Sequence, residues 1–258
     1  GSAAYGLQQL EQRVRRGLAD EGPARIVFTS RPANMVGITD AALSAFADVP
    51  WSHPALCRDI AGALRATGWV RDVERVHRYP DRRIEVTCTF REPVAMVNTN
   101  RGCCLVDGDC VRLPGWYTND PAFKLIVGIT EPPPGAGEKW AATGLQAAVE
   151  LVELLADEYY TDQITGILVD VRETKIGTRV PQLTLATDRA GGRIVWGSPI
   201  GDEIEENTAD QKLNLLRGNY RRFGRVDADR AVLDVSVHPD RILTPASTSA
   251  RRESLAGL

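Results

Sequence analysis

The stretch Arg83 to Arg91 (RIEVTCTFR) alternates without a fault: Ile84, Val86, Cys88 and Phe90 fall on one side of an extended chain, Glu85, Thr87, Thr89 and Arg91 on the other. Successive side chains of a strand point to opposite faces, so this pattern demands a sheet with one face in a core and one in water. Val73 to Arg78 reads as the neighbouring strand, with Tyr79-Pro80-Asp81-Arg82 as the turn between them. Pro93 ends the pairing, because proline has no N–H to offer a ladder.

Upstream, Ala24 to Phe28 (ARIVF) reads as a short strand, and Thr39 is placed to cap a helix that buries Leu43 and Phe46. Pro54 suits the first turn of a second helix with an apolar stripe of Leu56, Ile60, Ala63 and Leu64 and a left-handed cap at Gly68. The order strand, helix, helix, strand, strand predicts an α+β unit: a three-stranded sheet with two helices on one face. Before it, Leu7, Leu10, Val14 and Leu18 make a helical stripe with Arg13, Arg15 and Arg16 close by. That helix is either packed on the body or juxtamembrane, with its arginines near phospholipid.

Downstream, strands dominate. Asn98 to Gly102 marks a turn, and Cys103 to Val106 is expected to return through Asp107-Gly108 into Cys110 to Leu113. Beyond Pro132-Pro133-Pro134-Gly135, a long helix is expected from near Trp140, burying Leu145, Val149, Val152 and Leu155. Strands near Ile164 to Val171, Gln182 to Thr187 and Gly192 to Gly197 follow. Thr208 and Gln211 have capping-box spacing for a last helix that buries Leu213, Leu216, Tyr220 and Phe223 and closes at Gly224. Ala231 to Val237 alternates again, either as a sheet edge or as an interior strand, and the residues after Thr244 are small and polar, as in a disordered tail.

The chain of 258 residues is 43% hydrophobic and 25% charged, with a formal charge of -3. Its charges are interspersed, so nothing advertises nucleic acid. No run approaches the roughly 18 apolar residues of a membrane span. The opening Gly1-Ser2, without Met, looks like a protease scar, so a segment upstream is expected.

Chemistry is hard to find. The three histidines, His53, His77 and His238, have no second histidine or cysteine at ligand spacing, and no catalytic signature is present. Catalytic, cofactor-binding and metal residues are therefore expected to be none, and no small-molecule substrate is implied. The run Asp202, Glu203, Glu205, Glu206 precedes a helix N-terminus, where negative charge is stabilising in its own right. The five cysteines, Cys57, Cys88, Cys103, Cys104 and Cys110, contain no C-x-x-C, and the sequence leaves open whether any pair.

Taken in order, several short motifs resemble the FtsQ/DivIB family of cell-division proteins. Trp69-Val70, Val76-His77-Arg78-Tyr79-Pro80, Ile84-Glu85-Val86 and Arg91-Glu92-Pro93-Val94-Ala95 fill the places of that family's POTRA ending, with Phe90 where glutamate is usual. Leu105-Val106-Asp107-Gly108, Ile194-Val195-Trp196-Gly197, Lys212-Leu213 and Val232-Leu233-Asp234-Val235 resemble its later segments. The similarity spans roughly Ala24 to Thr244, and it rests on order and spacing.

The resemblance implies a juxtamembrane helix over 1–23, a POTRA domain over 24–95, a mainly antiparallel β domain with two helices over 96–244, and a tail over 245–258. It implies a non-enzymatic divisome scaffold, anchored in the inner membrane by an N-terminal helix and lying on the extracytoplasmic side. Its partners would be FtsB- and FtsL-like proteins, added as a strand to a sheet edge. The implied partner-binding positions are Ser198, Val232, Asp234, Ser236 and Val237, with Arg75, Arg78 and Arg83 available for docking on the POTRA unit. Ser198, Ser236 and Val237 depart from the arginine and tyrosine usual there. A POTRA module for outer-membrane assembly or secretion is the neighbouring alternative. A thiol- or metal-dependent enzyme using Cys103, Cys104 and Cys110 with the carboxylates from Asp202 to Glu206 is the more distant one.

Overall fold

The structure is a computed structural model that describes residues 24–173 and 179–237. The helix expected over Leu7 to Leu18, His238 and the tail over 245–258 lie outside the described residues. These separate into two compact units, one of residues 24–92 with Gly135–Glu138 and one of the remainder. The break falls between Glu92 and Pro93, three residues before the expected boundary. Both units are α+β, and together they hold two sheets, of three and seven strands, with four α-helices among the described residues.

In the first unit, β1 (Arg25–Phe28), α1 (Val36–Leu43), α2 (Leu56–Ala66), β2 (Val70–Arg78) and β3 (Arg83–Phe90) follow in order. The sheet order is β1-β3-β2, with β1 parallel and β2 antiparallel to β3. Ile84, Val86 and Cys88 turn one face of β3 onto Leu43, Leu56, Ile60 and Leu64 of the helices. Strand β2 begins three residues earlier than its alternation suggests. Register shifts between Val70 and Asp72 and between Val73 and Arg75 reset the phase, so Val70 and Val73 both reach the core.

Thr39 does not cap α1. The helix starts at Val36, and Thr39 lies inside it, buried, its hydroxyl donating to the Met35 carbonyl 2.9 Å away. An in-helix partner one turn back makes a buried threonine tolerable. Pro54 likewise stands just before α2, whose N-cap is Ala55.

The second unit contains β4 (Ala95–Thr99), β5 (Gly102–Val106), β6 (Lys124–Val127), α3 (Leu145–Ala156), β7 (Ile164–Glu173), β8 (Arg179–Thr187), β9 (Arg193–Gly197), α4 (Ala209–Phe223) and β10 (Val232–Asp234). Its sheet runs β10-β9-β8-β7-β6-β4-β5. The expected mainly antiparallel domain is corrected to a mixed one. The pairs β4/β5, β7/β8 and β8/β9 are antiparallel, while β4/β6, β6/β7 and β9/β10 are parallel. The helices account for two of the three parallel pairs: parallel neighbours need a crossover, and α3 lies between β6 and β7 as α4 lies between β9 and β10, while the chain returns from β4 to β6 by way of β5.

Three local expectations are also corrected. The long helix begins at Leu145; Trp140 is instead buried in an extended segment, its backbone N–H donating to Cys110 O at 2.8 Å. No strand forms over Cys110 to Leu113: the Asp107 carboxylate takes the N–H groups of Asp109 and Val111, and the segment keeps one isolated bridge to β5, between Arg112 and Val106, and one from Val111 to Lys139. Phe223, in the last turn of α4, is 49% exposed. One core joins Leu145, Val149, Val152 and Leu155 of α3 and Leu213 and Leu216 of α4 to Ile126, Ile167, Leu185 and Trp196 of the sheet.

Among the described residues no helix is long and apolar enough to cross a membrane.

Candidate functional site

Strand β10 is the last strand of the seven-stranded sheet, hydrogen-bonded to β9 on one side. The Arg193 N–H donates to Ala231 O at 2.9 Å and the Val235 N–H to Val195 O at 3.1 Å. In a parallel ladder this sets the phase: residues 231, 233 and 235 turn their main chain toward β9, and 232, 234 and 236 turn theirs to the open side. Side chains follow the same alternation. Val235 is in the core and Leu233 packs against it, while Val232, 61% exposed, and Asp234 face solvent.

The open side is not uniform. Ser236 already donates its N–H to Asp234 Oδ1 at 2.9 Å and accepts from the Asn207 N–H at 2.8 Å. The Asn207 side chain then donates from Nδ2 to Val235 O and Val237 O, each at 2.9 Å. Among the described residues, the outward N–H and C=O groups of Val232 and Asp234 are the ones left for another chain.

Behind the edge lies a buried polar cluster. Glu206 accepts from the Ser198 N–H and Oγ at 3.0 Å each and from Lys212 Nζ at 3.1 Å. The Lys212 side chain has no exposure and its ammonium lies 5.2 Å from the Trp196 ring centroid. A lysine can be held out of water only if its charge is met, and Glu206 with the electron-rich indole face meets it. Glu206 therefore leaves the acidic run and turns inward, while Asp202 and Glu205 stay in solvent and Glu203 accepts from the Gly201 N–H at 2.8 Å.

The residues proposed for partner binding divide accordingly. Val232, Asp234 and Val237 are exposed; Ser198 and Ser236 are 9% and 8% exposed, so they hold the edge from inside instead of presenting side chains to a partner. Burial forces their hydroxyls onto carboxylates, Glu206 for Ser198 and Asp234 for Ser236. Sequence reading missed Asn207 and the burial of Lys212. The second had a signal: Lys212 sits four residues before Leu216 on the apolar stripe of α4.

In the first unit, Arg75 donates to Glu85 Oε1 at 3.3 Å, and Arg83 lies 3.6 Å from Glu85 Oε2 with its guanidinium over the Tyr79 ring. Arg78 donates to His53 O at 2.7 Å and stacks over Trp51. All three already have intramolecular partners, so docking through them would exchange contacts instead of adding free charge.

Among the described residues, no group of three or more His, Cys, Asp or Glu is placed to hold a metal ion. The five cysteines are free thiols. Burial pushes Cys110 up to about 12 and raises Cys103 and Cys88 as well, the opposite of the lowered value that makes a thiolate reactive. His77 stands edge-on to Tyr79, and His53 lies in the turn before α2.

No family model matches the chain, and no curated protein matches it.

Proposed function

We propose that this chain is the extracytoplasmic part of an FtsQ/DivIB-like division scaffold. It is held at the inner membrane by an N-terminal anchor, and it binds FtsB- and FtsL-like proteins by accepting a strand on β10. The first unit takes the POTRA role in this reading. The ordered motif resemblance supports it, and the observation that carries it is the position of β10: a short terminal strand with open main-chain groups at Val232 and Asp234. Backbone pairing to such an edge supplies affinity without a catalytic group, and alternating side chains supply selectivity.

The test is a pull-down from membranes with the full-length protein beside Val232→Pro. The proline removes an N–H that faces away from β9, so the ladder inside the unit survives and circular dichroism should show both proteins folded. Capture of small coiled-coil division proteins by the wild type, reduced about ten-fold in the variant, is expected from a lost hydrogen bond and the ring's steric bulk. Equal capture by both would place the interface away from β10, and capture of no division protein by either would remove the division role.

A further inference from the structure

The proposed docking edge carries its own length limit and its own charge polarity. Past Asp234 the ladder is closed from within: the Asp234 carboxylate takes the Ser236 N–H, and Asn207 takes the carbonyls of Val235, Ser236 and Val237. A strand laid along β10 therefore finds main-chain partners at Val232 and Asp234 and meets a filled position at Ser236. Charge also differs between the two ends. Exposed Arg193, paired with Val232, and exposed Arg230 flank the start of β10. At its far end the loop tied down by Glu206 and Asn207 presents the exposed Asp202 and Glu205, while Glu203 is half-buried and bound to the Gly201 N–H.

Resting on the strand-addition reading, we propose that the occupant is an extended segment of a partner protein that pairs opposite Val232–Asp234 and no further. It carries an acidic side chain beside Arg193 and Arg230 and a basic side chain beside the loop of Asp202 and Glu205. Asn207 is a positioning residue: it touches no partner and fixes where pairing stops. The short register limits the backbone contribution to a few hydrogen bonds, so the charges at the two ends select which segment binds and which way it lies.

The experiment uses the full-length protein in cells, with p-benzoylphenylalanine placed singly at Val232, Asp234 or Val237 and the crosslinked residues identified by mass spectrometry. Crosslinks from Val232 and Asp234 should enter one short segment with acidic and basic residues at opposite ends, at yields about ten-fold above those from Val237. Reversing the loop charge with Asp202→Lys and Glu205→Lys should cut those yields about ten-fold, with circular dichroism and the thermal midpoint showing the protein still folded because these side chains lie at the surface. Equal yields from Val237 would overturn the length limit while leaving strand addition intact, and unchanged yields after charge reversal would overturn the polarity. Crosslinks to a second copy, or to this chain's own residues beyond Val237, would overturn the choice of occupant. No crosslink from any position while the wild type still captures division proteins would overturn the β10 reading itself.

Discussion

Lys212 and Glu206 form an ion pair at 3.1 Å in which the lysine side chain is wholly out of water. Removing one member of such a pair strands the other, at about 3–5 kcal/mol. Glu206→Ala should lose that much in urea unfolding, and Lys212→Met combined with Glu206→Gln should recover most of it, since the amide oxygen still accepts from the Ser198 N–H. A single variant costing under about 1 kcal/mol would mean that Lys212 finds water or another acceptor.

Asn207→Ala leaves the carbonyls of Val235 and Val237 without their amide donor, at about 1–3 kcal/mol. The loss should be local. Amide exchange at Val235, which donates to Val195, is expected to accelerate well before exchange in the β7/β8 pair. Uniform acceleration across the sheet would show that β10 opens only with the whole unit.

The N-terminus of α4 is closed by a reciprocal pair: Gln211 donates its N–H to Thr208 Oγ1, and Thr208 donates its N–H to Gln211 Oε1 at 2.8 Å. Thr208→Ala should cost about 1 kcal/mol and Thr208→Ser much less, read from the denaturant midpoint at constant slope. Equal costs for the two would assign the effect to the lost methyl.

Gly128 and Gly201 both have positive φ, +99° and +86°, yet a side chain meets different surroundings at each. A Cβ at Gly128 would lie 2.0 Å from Val169 O, whereas at Gly201 nothing lies within 4 Å. Gly201→Ala should cost about 1 kcal/mol from backbone conformation alone. Gly128→Ala should cost several times more, because β7 would have to move, and comparable thermal midpoints would contradict the close approach.

Acid should act through Asp227. Burial raises its pKa, but hydrogen bonds from Arg225 and the Asp229 N–H, with the charges of Arg225 and Arg189, more than offset this and hold it below the ordinary carboxylate value. A depressed pKa contributes stability above the unfolded value of about 3.9 and loses it as pH falls through the folded value. The stability gap between wild type and Asp227→Asn should therefore be widest above the unfolded carboxylate value and close as pH falls below it through the folded value. A gap independent of pH would show that the carboxylate's charge contributes nothing.

Much of the architecture was legible in local pattern. The alternation of Ile84, Val86 and Cys88, the α2 stripe with Gly68 after it, and the Thr208/Gln211 box each appear in the structure as read. Local reading failed where a residue's partner lies far along the chain. The four residues of β6, Lys124–Val127, are too short to show a period, and they become a strand only by insertion between β4 and β7. Thr39 and Trp140 resembled helix starts because a capping residue and a buried one look alike until their hydrogen bonds are assigned.

The sequence by itself determined that β3 must alternate and that α2 and α4 must coil, because these depend on residues a few positions apart. Only the tertiary structure decided that α3 and α4 return the chain to parallel neighbours, that β10 lies at the margin, and that Lys212 is drawn inside. Each depends on contacts between distant segments, made when the fold buries apolar surface and must then satisfy every polar group enclosed with it.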